Sequence, residues 1–155
     1  MCTGIALALS DVPMKLLEQY KLESRIFARG GESEVRFFFG DAQRYIPIIH
    51  EGQFQIVLWG SHRRESRFLP IGGWTTQTTL KNNGCGGAEI IPIEIPAAMG
   101  FEKGIWFRIR QGIHGILVKN ERNQDVAYML CEKSSHYFQV MTRSSRMPLL
   151  IDETF

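Results

Sequence analysis

No stretch of this 155-residue sequence approaches the roughly 18 consecutive apolar residues that a membrane-crossing helix needs, which excludes a helical membrane protein. Cysteine is scarce. Cys2, Cys85 and Cys131 are odd in number and no two have C-x-x-C spacing, which argues against a disulfide framework and against a zinc site. The four histidines, His50, His62, His114 and His136, show no ligand spacing either, so neither a metal nor another cofactor is expected. Excess charge of one sign is lacking too. Eighteen Lys and Arg against 16 Asp and Glu leave a formal charge of +2, which permits a nucleic-acid partner without demanding one. No basic segment precedes the first apolar run and Asp11 interrupts that run, so no signal peptide is expected. Internal repeats, low-complexity tracts and linkers are absent. The expectation is one cytoplasmic, monomeric domain over residues 1–155, nucleoid-associated if the source is bacterial, with no membrane partner.

Hydrophobic residues at 44% and charged residues at 22% describe a chain that can bury a proper core. Residues 3–9 are small and apolar and read as a strand. Ser10 and Asp11 are cap residues, Pro13 suits a first helical turn, and Leu16, Leu17 and Tyr20 share a helical face, so a short helix is expected from about Val12 to Lys21. Further strands are expected at 34–39 and at Phe54 to Trp59. Tyr45 to Ile49 should be an edge or merely extended segment, because Pro47 cannot donate to a ladder. Asn82 to Gly87 reads as a flexible loop with Cys85 incidental, and Ile90 to Ile95 is interrupted by Pro92. Ile105 to Arg110 should form a hairpin with Ile113 to Val118, and Val126 to Cys131 and Tyr137 to Thr142 are strand candidates. Many short strands with one or a few short helices predict an α+β, β-rich single domain built on a curved, mostly antiparallel sheet.

Three sets of residues carry possible chemistry. If Met1 is removed, Cys2 presents an α-amine and a thiol that titrate near ~8 and ~8.5. Such a 1,2-aminothiol can attack an aldehyde through nitrogen and close through sulfur to a thiazolidine, or act as an amidase nucleophile with its amine as base. Glu102 lies between two strand-like runs among apolar neighbours, where a carboxylate can serve as acid or base. Arg63, Arg64 and Arg67 cluster, Arg108 and Arg110 alternate, and Arg143 and Arg146 lie near the C-terminus. Trp59, Phe68, Trp74, Trp106 and Phe107 are interleaved with them, a pattern that can hold phosphates and stack unpaired bases. A flexible terminus, a solvated turn glutamate and a polar sheet face over an aromatic core are the plain alternatives for the three sets.

Four segments taken in order resemble the SRAP (SOS response-associated peptidase-like) family. They are Met1-Cys2 followed by a strand and short helix, Tyr45 and Pro47 with Trp59-Gly60, Pro96-Ala97 with Phe101-Glu102, and Arg146-Met147-Pro148-Leu149. The resemblance implies a single α+β domain, shortened and diverged, that binds single-stranded DNA. It implies capture of the ring-opened aldehyde of an abasic site by Cys2, autoprocessing of Met1, and a role in the DNA damage response. Glu102 then occupies the position of the glutamate that assists proton transfer, Arg146 falls in the last motif, and Trp59 and Trp106 lie near the DNA-facing region. Arg63, Arg64, Arg67 and Arg108 would hold phosphates, and Trp74 would join the stacking aromatics. The sequence departs from the family pattern at three places. Thr3-Gly4 replace Gly-Arg after the cysteine, Ser144 stands where the family has histidine, and the family asparagine is missing from the segment matched by Trp74 to Thr79. His136 is the candidate replacement for the lost histidine.

Two other readings follow from the same residues. One is an SRAP-like module that binds DNA or protein without covalent chemistry. The other rests on Met1 to Leu7, which is similar to the start of N-terminal-nucleophile amidohydrolases; that resemblance implies two stacked sheets between helix layers.

Overall fold

In the computed structural model, which describes residues 1–155, the first apolar run forms β1 (Gly4–Ala8) and the Pro13 segment starts α1 (Met14–Gln19). β2 (Ile26–Arg29), β3 (Glu32–Phe38), β4 (Tyr45–His50), β5 (Gln53–Trp59) and the short β6 (Trp74–Thr75) follow. After α2 (Gln77–Lys81) come β7 (Ile91–Ile95), β8 (Met99–Glu102), β9 (Ile105–Arg108), β10 (Ile113–Lys119) and β11 (Asp125–Lys133). The chain finishes with α3 (His136–Thr142) and β12 (Arg146–Pro148).

The strands make two sheets, and the architecture is α+β and β-rich. The first runs β2-β3-β1-β8-β9, antiparallel throughout, with β1 at its centre. The second runs β10-β7-β4-β5-β11-β12, and β10 also pairs β11, so β10, β7, β4, β5 and β11 close into a ring. Only the β11 pairings with β5 and β6 are parallel. The principal core lies between the sheets. Ile5, Leu7, Val35 and Phe37 come from the first sheet, and Ile46, Ile48, Ile95, Ile113 and Met129 from the second. A smaller cluster of Leu69, Cys85, Ile116, Val118 and Tyr128 lies beneath the 61–90 segment. No helix is long and apolar enough to cross a membrane.

β4 is interior to its sheet, not an edge. Its only pairing with β7 is Ile49↔Glu94, so Pro47 meets no ladder on that flank and is tolerated. β9 pairs with β8 across a two-residue turn, while β10 pairs with β7 and β11. Tyr137 to Thr142 is helical because the Ser135 side chain accepts from the Phe138 N–H, and Phe138 and Thr142 fall on one buried helical face. Cys85 is a buried member of the smaller core rather than an incidental loop residue. The three helices span only five to seven residues each and form no layers around a two-sheet sandwich. The architecture expected of an N-terminal-nucleophile amidohydrolase is therefore absent.

Candidate active site

β1 sits between β3 and β8, and this pairing continues past its first residue toward the N-terminus. The Thr3 N–H donates to the Phe101 carbonyl at 2.8 Å, and the Phe39 N–H donates to the Thr3 carbonyl at 3.1 Å. The terminus is thus held at the end of a central strand. Glu102 is the last residue of β8. Lys103 and Gly104 both adopt positive φ, 47° and 83°, the geometry of a tight two-residue hairpin turn. Ser144 and Arg146 arrive from the other end of the chain. α3 ends on Arg143 in the left-handed conformation, and the chain then reverses into β12 against β11. The Lys103 Nζ donates to the Arg143 carbonyl at 2.8 Å and ties the two turns together.

These three elements build a cradle for one ammonium group. The α-amine of Met1 donates to Glu102 Oε2 at 2.6 Å, to Ser144 Oγ at 2.8 Å and to the Arg146 carbonyl at 2.5 Å. Three acceptors meet the three N–H bonds of a protonated primary amine. Ser144 Oγ also donates to Glu102 Oε2 at 2.8 Å, which fixes the carboxylate from a second side. Glu102 is only 4% exposed, so its charge is compensated by the amine rather than by water. The solvated-turn reading of Glu102 is thereby excluded.

The Cys2 thiol points the opposite way. It is fully buried and donates to the Gly4 carbonyl at 3.0 Å. A β-carbon placed on Gly100 would sit 3.0 Å from Cys2 Sγ and 2.5 Å from the Phe107 ring, so absence of a side chain there makes the thiol pocket. Burial pushes the thiol up to about 12, against smaller lowering effects of hydrogen bonds to the Phe101 and Gly4 backbone. With Met1 in place, the amine faces Glu102 and the thiol remains neutral in the core.

Aromatic residues flank the terminus. Trp74 Nε1 donates to the Cys2 carbonyl at 2.9 Å, and Phe39 packs edge-on against Trp74, Trp59 and His62. Trp59 itself is a correction. It has no exposed surface and its Nε1 donates to the Gly73 carbonyl, so it supports Phe39 and Trp74 and cannot stack a base. Arg146 contributes its backbone carbonyl to the cradle while its side chain is exposed. Arg63, Arg64 and Arg67 are exposed on a loop anchored by an ion pair between Glu65 and buried Arg44, and none of their side chains bonds to the cradle. Trp106 and Arg108 lie on the outer face of the first sheet. His136 is exposed at the start of α3 and makes no bond to Glu102; Ser144 makes that bond instead.

The structure therefore brings Cys2, Glu102, Trp74 and Arg146 together and leaves the remaining arginines and Trp106 elsewhere. Ser144, which the sequence presents only as a replaced histidine, supplies the hydroxyl that faces Glu102. Glu34, Arg36 and Phe38, in period-two alternation with Val35 and Phe37, mark an outward-facing strand surface. No protein-family model, no curated protein and no solved structure matches this chain.

Proposed function

We propose that the protein binds single-stranded DNA and captures abasic sites covalently through Cys2 once Met1 has been removed, as part of a DNA damage response. The observation that carries this reading is the ammonium cradle. Residues from both ends and the middle of the chain converge on the N-terminal amine, and they fall in the segments that resemble the SRAP family.

The chemistry follows from the groups present. Without Met1, the new α-amine belongs to Cys2 and must shift by one residue to reach Glu102. Glu102 then takes a proton from the ammonium and frees its lone pair. The amine adds to the aldehyde carbon of the ring-opened sugar, giving a carbinolamine. Glu102 returns the proton to the hydroxyl, which leaves as water, and a protonated imine remains. The Cys2 thiol adds to the imine carbon, its proton passes to the Glu102 carboxylate, and a thiazolidine closes. Ser144 orients the carboxylate, and the bond from Trp74 to the Cys2 carbonyl belongs to the Met1-bearing chain and is released by the shift. The same one-residue shift draws the thiol out of its pocket beside Gly100 and Phe107.

Purified protein incubated with single-stranded DNA carrying one abasic site should give a heat-stable adduct on a denaturing gel. The adduct should be lost in Cys2→Ala and slowed by about 10²-fold or more in Glu102→Gln, the usual scale of a general acid–base contribution. Intact mass should show the loss of Met1 in the reactive fraction. A chain confirmed to lack Met1 that forms no adduct would sink the covalent reading. The burial of the thiol in the Met1-bearing chain favours, in that event, a module that binds DNA without covalent chemistry. Its affinity would be independent of Cys2 and would fall with added salt.

A further inference from the structure

The outer face of the first sheet carries a second set of side chains that the amine chemistry does not use. The centre of that face carries only small residues, and larger neighbours cover Gly4 and Ala6. Gly4, Ala6 and Ala8 of β1 lie opposite Phe38, Arg36 and Glu34 of β3, so small residues separate two walls of large ones. A β-carbon on Gly4 would sit 2.5 Å from the Phe38 ring, and Phe38 packs edge-on against Phe101 and Trp106. Arg36 reaches across this strip of small residues. Its guanidinium lies 4.4 Å from the Phe27 ring centroid and 5.0 Å from that of Trp106, with Arg29 at 4.5 Å from Trp106 as well.

Buried Glu34 holds both arginines in place, accepting from Arg29 Nε and Nη2 and from Arg36 Nε. Burial alone would push the Glu34 carboxyl up, but the hydrogen bonds from Arg29 and Arg36 outweigh it and leave it below the usual range. The arrangement leaves both Nη groups of Arg36 without a hydrogen-bond partner in the protein. Beside them opens a cleft of about 410 Å³ lined by Arg25, Phe27, Arg36, Phe38 and Asp41. Arg25 is committed to Asp41 and to the Gln43 carbonyl, so Asp41 faces the cleft already neutralised. Phe27 is 45% exposed, although a phenyl ring on a free surface gains nothing from water. Of the lining residues, Arg25 and Arg36 against Asp41 leave one net positive charge in the cleft.

We propose that this cleft binds one nucleotide unit, with its flat base against Phe27 and Phe38 and its phosphate on the free edge of Arg36. The pairing of an exposed ring with a pre-oriented guanidinium matches the two halves of such a ligand, a π-face and a phosphate. The site stands on its own geometry and does not depend on Cys2 or on abasic DNA.

The test uses the full chain and undamaged ligands: a fluorescein-labelled oligothymidylate, a deoxynucleoside monophosphate and inorganic phosphate. Anisotropy gives affinity, and amide chemical shifts report the location. Oligonucleotide and mononucleotide should each move the amides of Phe27, Arg36 and Phe38. Phe27→Ala and Arg36→Gln should each weaken binding by about tenfold. Phe27 is an exposed side chain, so its truncation should leave the thermal unfolding midpoint near that of the parent. Affinity that grows with chain length assigns the unit to a strand, and equal affinity for the monophosphate assigns it to a free nucleotide. The proposal is overturned if neither ligand binds, if both variants bind within twofold of the parent, if the shifts fall elsewhere, or if inorganic phosphate reproduces the full response.

Discussion

The thiol of Cys2 is enclosed by Phe107 and the Gly100 backbone, while the amine one residue earlier is held in a polar cradle. A shift of one residue along a strand end therefore exchanges a buried thiol for a reactive pair. The sign of the pH effect follows from the raised value of the thiol, about 12. A group that stays protonated in the folded chain supports folding below its unfolded value of ~8.5, and that support is lost as pH rises toward the folded value. At pH 8 the Met1-bearing chain should react with a thiol-specific disulfide reagent at least roughly a hundredfold slower at Cys2 than the same chain in denaturant, since only the thiolate is nucleophilic. Cys85 and Cys131 are also buried, so peptide mapping must assign the modified site. A native-state rate equal to the denatured rate would disprove the enclosure. Cys2 and Glu102 were legible in the sequence because of their segments. Ser144 was legible only as a missing histidine, because a serine has no chemistry of its own until a carboxylate stands beside it.

α3 and the turn after it deliver two of the three cradle groups. Sequence periodicity predicts a strand here, since Tyr137, Val140 and Met141 have strand character, whereas the segment folds as a seven-residue helix. The deciding feature is the cap, in which the Ser135 oxygen accepts from Phe138 N–H and leaves Phe138 buried. Ser135→Ala should cost about 1 kcal/mol of stability, read as a lowered urea midpoint. The same change should loosen the turn carrying Ser144 and Arg146, visible as faster hydrogen exchange at the amide of Ser144. An unchanged midpoint would show that packing of Phe138 alone holds the helix. β8 and β9 present the converse case. Their hairpin was missed because Lys103-Gly104 lacks the strongest turn residues, and the tertiary pairing imposes a positive φ on a lysine.

At the scale of the molecule, the two sheets share one core. Ile5, Val35 and Phe37 of the first sheet belong to the same cluster as Ile46, Ile48 and Met129 of the closed ring. Neither sheet can release its inner face without exposing that of the other. Unfolding should therefore be a single cooperative transition, with far-UV and near-UV circular dichroism giving coincident urea curves. Separate midpoints would mean that the ring survives loss of the first sheet. The same arrangement buries Trp59 and denies it the expected stacking role. Its strand alternation is compatible with either face, and only closure of the ring, with Gly73 placed against its indole nitrogen, buries it.

The sequence by itself determined the β-rich α+β class, the first strand and helix, most strand positions, and the candidacy of Cys2 and Glu102. These depend on local alternation, caps and short motifs, which act between near neighbours. Tertiary structure alone decided which strands pair, which way Cys2 points, and that Glu102, Ser144 and the Arg146 carbonyl meet one amine. It also decided that Phe27, Arg36 and Trp106 share an outer face. Those outcomes depend on contacts between residues up to 145 positions apart. No local pattern encodes such contacts, because they form only when packing of the common core fixes both ends of the chain.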